Sequence, residues 1–228
     1  MSFLDTLMTR LDASGLAFVV IVCVLLPLAA IRSARRAPAE VREVRMSQRL
    51  RTVAVLIGLA AVAMLVADRN DIPLFPPHRH ATSHVTLGAA VLLAILALTE
   101  LQLRSSTVEE RRRLWARQVI PEDAGGRIIW TVSSILAGAT EEIIFRGVLF
   151  ALLVALTGNV TVSAAISAAA FALAHFRQGW KNMGFVAAIA LLFQWLVIVT
   201  ASLVPAIAVH AIYNIARGVR ASRALRET

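Results

Sequence analysis

Seven apolar stretches, separated by short polar segments, follow one another along the chain. They cover residues 15–31, 52–67, 84–100, 128–157, 160–176, 183–201 and 203–217. An α-helix rises about 1.5 Å per residue, so stretches of this length can cross most of a hydrocarbon core of about 30 Å. The pattern therefore predicts an all-α, polytopic transmembrane helix bundle of about seven spans.

Composition supports a membrane protein rather than a soluble one. Of the 228 residues, 58% are hydrophobic and only 16% are charged, whereas a soluble domain carries about 25% charged residues. The net charge is +9, but the basic residues lie in the loops between apolar stretches. We therefore interpret this charge as a topology signal with some contact to anionic lipids, and expect no binding of nucleic acid.

Basic residues are concentrated in alternate loops. The segments 32–51, 101–127 and 176–182, together with the tail from residue 217 onward, hold 19 of the 23 Lys and Arg residues. Cytosolic loops carry the excess of Lys and Arg. The chain is thus expected to be integral to a membrane, with its N-terminus outside and its C-terminus cytosolic. The high arginine content suggests a bacterial inner membrane.

The sequence divides into three regions. We expect an N-terminal three-helix membrane region over 1–127, a helical core over 128–217 and a basic cytosolic tail over 218–228. The segment 104–127 reads either as an amphipathic surface helix or as a solvated loop. A histidine group, His78, His80 and His84, is interpreted as a solvated loop.

Two adjacent carboxylates interrupt the fourth apolar stretch. Glu141 and Glu142 are followed by Arg146, and a charged side chain at the centre of a span costs about 2.5–3.5 kcal/mol or more. Glu142 and Arg146, four residues apart, can pair on one helix face, whereas Glu141 projects away and lacks that partner. Such groups mark either a functional site or a structural polar cluster between helices.

Two further polar pairs occur later in the chain, each with helical spacing. Phe171 precedes His175 by one turn, and His210 precedes Asn214 by one turn. The second pair could hold a water, a metal ion or the oxygen of a scissile carbonyl, or it could make hydrogen bonds between helices. If the predicted topology is correct, all these groups lie in the cytosolic half of the bilayer.

Together, these residues resemble one family closely. Glu-Glu-x-x-x-Arg at 141–146, Phe-x-x-x-His at 171–175 and His-x-x-x-Asn at 210–214 are similar to the three motifs of the CAAX-protease and bacteriocin-processing family. That family consists of intramembrane endopeptidases and includes the eukaryotic prenyl-protein endopeptidase. The resemblance covers about residues 125–217, and all its motif positions are filled.

The resemblance implies a role for each motif residue. Glu141, with His175, would activate the attacking water, and His210 and Asn214 would stabilise the oxyanion of the tetrahedral intermediate. The supporting or substrate-binding residues would be Glu142, Arg146, Phe171 and Phe145.

The sequence does not require a metal ion. It contains no His-Glu-x-x-His zinc motif, which zincins use. If zinc is present, its ligands would be Glu141, His175 and His210. We favour a mechanism without a metal or other cofactor.

These observations predict an intramembrane endopeptidase that cleaves near the C-terminus of a membrane-associated or lipidated protein or peptide. The lipid bilayer is its other partner, and the sequence gives no oligomeric state. The alternatives are a non-catalytic immunity or peptide-binding membrane protein and, less favoured, a small proton-coupled transporter using a Glu/His relay.

Overall fold

The computed structural model describes residues 11–36, 46–76, 81–111 and 120–226. These residues form seven long helices, one for each predicted apolar stretch, and contain no strand. The seven are α1 (Ala13–Val20, Ile21–Leu25 and Leu26–Arg36), α2 (Met46–Arg69), α3 (Ala81–Ser105), α4 (Ala124–Glu141, Glu142–Leu149 and Phe150–Thr157), α5 (Val160–Ala174), α6 (Met183–Thr200) and α7 (Leu203–Arg226). The protein is therefore all-α, as the sequence predicts.

Four of these helices are long and apolar enough to cross a membrane by length and composition alone. They cover Ala13–Arg35, Met46–Arg69, Ser83–Ser105 and Met183–Thr200. α5 is apolar but shorter, and α4 is divided by a change of helix type. About seven spans are thus plausible for the bundle.

Helix ends are set by ordinary capping chemistry. Asp12, Asp123 and Asn159 each accept a hydrogen bond from the backbone N–H three residues on, at the starts of α1, α4 and α5. Such caps satisfy N–H groups that have no partner within the helix. α4 ends at Gly158, which adopts a left-handed conformation with φ of 64°, a backbone geometry that favours glycine.

The ends of three helices meet on the side of the bundle that carries the basic loops, which we call the basic end. Gln102 near the end of α3 donates a 2.6 Å hydrogen bond to Asn182 just before α6. Arg220 of α7 makes a 2.7 Å ion pair with Glu100 of α3. At the opposite end, Asn70 after α2 hydrogen-bonds to Asp12 before α1.

Some sequence expectations fall partly outside the described residues. Of the segment 104–127, residues 108–111 are helical and 112–119 are not described. His78 and His80 are likewise not described, whereas His84 lies within α3 rather than in a loop.

Candidate active site

The carboxylate motif lies where α4 changes from an α-helix to a π-helix. The sequence predicts one continuous helix over 128–157, but Glu142–Leu149 forms a π-helical segment. In this segment the Phe145 carbonyl accepts from the backbone N–H of Phe150, five residues on, and from the hydroxyl of Ser167 at 2.8 Å. Single π turns inside α-helices are frequently found at functional sites.

Glu142 is the fully buried member of the carboxylate pair, with a side chain 0% exposed. It makes the predicted ion pair with Arg146, at 3.3 Å between Oε1 and Nη1, and lies 2.7 Å from Nδ1 of His210. A buried carboxylate needs such partners, because removing a charge from water is costly without compensation. Glu142 therefore joins α4 to α7 through His210.

Arg146 is buried between two aromatic rings. Its guanidinium carbon lies 4.3 Å from the centre of Phe171 and 5.4 Å from the centre of Phe193. Nη2 also donates a 3.4 Å hydrogen bond to the Ala190 carbonyl of α6. Cation–π contacts of this kind are strongest where water is excluded, so the two rings help to hold the cation inside the bundle.

Glu141 faces both motif histidines through a single oxygen. Its Oε2 lies 3.8 Å from Nε2 of His175 and 3.7 Å from Nε2 of His210. The Glu141 side chain is 27% exposed and that of His175 is 26% exposed. This part of the site is therefore open to its surroundings, whereas Glu142 is fully buried. The structure thus brings together three residues that lie on α4, at the end of α5 and on α7.

The orientation of His175 follows from its position at the end of α5. Its Nδ1 lies 2.9 Å from the carbonyl oxygen of Phe171, one turn earlier. A carbonyl can only accept, so the hydrogen is on Nδ1 and the neutral ring presents a lone pair at Nε2. The Phe171 ring is also tilted against the imidazole, with centres 4.3 Å apart. Phe171 therefore contacts both Arg146 and His175, and Phe145 packs edge-on against it at 5.0 Å.

A glycine allows α4 and α7 to approach closely beside the site. A side-chain carbon at Gly138 would lie 3.2 Å from the backbone nitrogen of Ala211 and 3.3 Å from Cβ of His210. Asn214 lies one turn beyond His210 and donates a 3.2 Å hydrogen bond to the Ser134 carbonyl of α4. The second amide hydrogen of Asn214 remains available to another acceptor.

Two residues on α6 belong to the site but to none of the three motifs. Phe193 stacks on the His210 ring, with centres 4.9 Å apart and planes 23° apart. Gln194, the next residue, is buried in the bundle. Phe193 has apolar neighbours on every side and carries no sequence signal, whereas Gln194 is the one amide in α6 and could have marked this face of the helix.

The three donors that a zinc ion would use converge around Oε2 of Glu141. Tetrahedral zinc with ligands about 2.0–2.1 Å away brings neighbouring ligand atoms to about 3.4 Å apart, against 3.7 and 3.8 Å around Glu141 Oε2. Within the described ranges, no group of three or more His, Cys, Asp or Glu side chains has the arrangement of a metal site.

The fold and site define a helical membrane protein with a buried Glu-Arg pair and an open Glu-His cluster. Residues 124–216, which contain all three motifs, match the family model described as Type II CAAX prenyl endopeptidase Rce1-like. This match supports membership of the CAAX-protease family, which implies a CAAX-type intramembrane protease. No curated protein and no solved structure matches the chain.

Proposed function

We propose that this protein is a glutamate-dependent intramembrane endopeptidase that cleaves near the C-terminus of a membrane-associated or lipidated protein or peptide. The observation that carries the proposal is the position of Glu141 Oε2, 3.8 Å from His175 Nε2 and 3.7 Å from His210 Nε2. An ionised carboxylate and the lone pair of His175 are both acceptors. One water can satisfy both by donating a hydrogen to each.

Such a water would be both held and activated. Glu141 takes the proton as the water oxygen attacks the scissile carbonyl, and His175 orients the water because its own Nδ1 is fixed on Phe171. A positioned base of this kind contributes roughly 10²–10⁴-fold to the rate. The proton can then pass from Glu141 to the amine that leaves.

The oxyanion would be stabilised by residues of α7. With Nδ1 of His210 directed at the Glu142 carboxylate, a protonated ring can donate from Nε2 to the developing charge. The free amide hydrogen of Asn214 is a second donor. Preorganised donors in a site that excludes water are worth more than the same donors in water. Glu142 and Arg146 support this arrangement from the closed side of the site.

In this mechanism no metal is needed, since Glu141 and His175 together would hold and activate the water. We also propose that the basic end is cytosolic and that the site opens in the cytosolic half of an inner membrane. A substrate would then bring a lipid chain or apolar segment from the bilayer and a polar C-terminus from the cytosolic side.

A fluorogenic prenylated C-terminal peptide, incubated with the purified protein in detergent, tests this function. We expect one cut near the C-terminus, with one oxygen from ¹⁸O-labelled water in the new carboxylate. Binding of the peptide without any cleavage would instead support a non-catalytic peptide-binding protein. If the peptide neither binds nor is cut, the prenyl-peptide substrate is wrong.

A further inference from the structure

Gln194 is a buried amide with no hydrogen-bond partner in the part of the chain that the structure describes. The residue is 2% exposed, and neither its side-chain oxygen nor its nitrogen is bonded. Buried polar groups in folded proteins are nearly always hydrogen-bonded, so each exception calls for an explanation. A long apolar residue at this position would pack without that cost.

The other unsatisfied polar atoms among the described residues belong to the Glu142–Arg146 pair. They are Glu142 Oε2 and Arg146 Nη1. The 3.3 Å contact between Arg146 Nη1 and Glu142 Oε1 is close enough for an ion pair but is not a hydrogen bond. The pair therefore has one donor and one acceptor left to satisfy.

Gln194 lies on the part of α6 that contacts this pair. Arg146 donates to the carbonyl of Ala190, which also accepts the backbone N–H of Gln194 in the ordinary helical pattern. Phe193, next in sequence, packs on both Arg146 and His210. The three side chains with unsatisfied atoms thus belong to the two segments, one on α6 and one on α4, that pack against each other through Ala190 and Phe193.

The unsatisfied groups on the two helices are chemically complementary. The Gln194 amide offers an oxygen that can accept and an N–H₂ group that can donate, whereas Arg146 Nη1 requires an acceptor and Glu142 Oε2 requires a donor.

We propose that Gln194 is a positioning residue for the site. It acts through Arg146 and Glu142, and so fixes the carboxylate that orients His210. This proposal rests on the proposed function. Gln194 is not expected to touch the substrate, because it is buried behind the pair while the open side of the site is at Glu141 and His175.

Gln194→Met, which keeps the length of the side chain and removes its polar atoms, tests the proposal. Leu196→Met is the matched control, because Leu196 is equally buried on the same helix. We expect Gln194→Met to lower kcat on the prenylated peptide about tenfold, as is usual when a supporting partner is removed, with KM within about twofold. Gln194→Asn, which retains an amide that a water can reach, should recover part of the loss.

A second measurement does not depend on cleavage. The ring ¹⁵N shifts of His210, assigned with His210→Gln, report whether one or both of its nitrogens carry a hydrogen. In Gln194→Met these shifts should move, whereas in Leu196→Met they should match the wild type.

Unchanged shifts together with unchanged kcat in a folded Gln194→Met protein would overturn the proposal. If Gln194→Met does not fold, the same two measurements on Gln194→Asn decide. Absence of cleavage by the wild type would count against the proposed function and leave the NMR test intact.

Discussion

Oε1 of Glu142 lies 2.7 Å from Nδ1 of His210, and this contact joins the closed half of the site to the open half. On one side, Glu142 is held by Arg146, which is itself enclosed by Phe171 and Phe193. On the other side, Nε2 of His210 faces Glu141. The two adjacent glutamates therefore have different surroundings, and substitutions should separate their roles.

Glu142→Gln should destabilise the fold more than Glu141→Gln does. The first change leaves Arg146, whose side chain is 1% exposed, as a buried cation without its carboxylate. Breaking one partner of a buried ion pair costs roughly 3–5 kcal/mol. Thermal unfolding in detergent should show a clearly lower Tm for Glu142→Gln, with Glu141→Gln close to wild type. Equal Tm values for the two variants would contradict the division of roles.

Gly138→Ala should reduce activity by separating α4 from α7. The added carbon would lie 3.2 Å from a backbone nitrogen and 3.3 Å from His210 Cβ, and overpacking of this kind typically costs about 1–3 kcal/mol. We expect a lower kcat and a lower Tm. Gly58→Ala is the control, because nothing lies within 4 Å of an added carbon there. Similar losses from both substitutions would mean that the α4–α7 approach is not critical.

Acid should loosen the start of α1. Hydrogen bonds from the Ser14 hydroxyl, the Gly15 N–H and the Asn70 amide hold the pKa of Asp12 below its ordinary value of 3.8. A carboxyl group whose pKa is lower in the folded state than in the unfolded state stabilises the fold at pH values above its unfolded-state pKa. That stabilisation is lost as the pH falls through the folded-state pKa. Hydrogen exchange at the Gly15 amide should therefore accelerate below about pH 4, relative to the intrinsic rate. In Asp12→Asn this pH dependence should vanish, and if it persists another group is responsible.

Activity should not depend on a bound metal. The wild-type protein, treated with a zinc chelator and dialysed, is expected to cleave the peptide at its original rate, because in the proposed mechanism Glu141 and His175 would hold the water without a metal. The metal content of the same samples is measured in parallel. Loss of activity that added zinc restores would replace this mechanism with one in which Glu141, His175 and His210 bind the ion.

Much of this arrangement can be predicted from the sequence, because it depends on local periodicity. The apolar stretches predict the seven helices, and the spacing of Glu142 and Arg146 predicts their ion pair. The apolar stretch over 128–157 predicts α4 but not the π-helical segment Glu142–Leu149 within it. The Ser167 hydroxyl donates to the Phe145 carbonyl of this segment, and local spacing along the sequence does not indicate such a tertiary contact.

The contribution of α6 could not be predicted for a different reason. Phe193 lies in a run that is apolar on every side, so periodicity does not single it out, and Gln194, the one amide in that run, does not by itself show what it faces. Their contacts depend on which face of α6 turns toward α4 and α7. That rotation is decided by side-chain packing across the whole bundle, and it becomes visible only with the helices in place.

The most direct test of the central claim compares cleavage of the prenylated peptide by wild type, Glu141→Gln and Glu142→Gln under single-turnover conditions. Because Gln keeps the shape of Glu but cannot take a proton, Glu141→Gln should bind the peptide normally and cleave it about 10²–10⁴-fold more slowly. It should do so while retaining a wild-type Tm. Cleavage by folded Glu141→Gln at a rate near that of the wild type would contradict the assignment of Glu141 as the base.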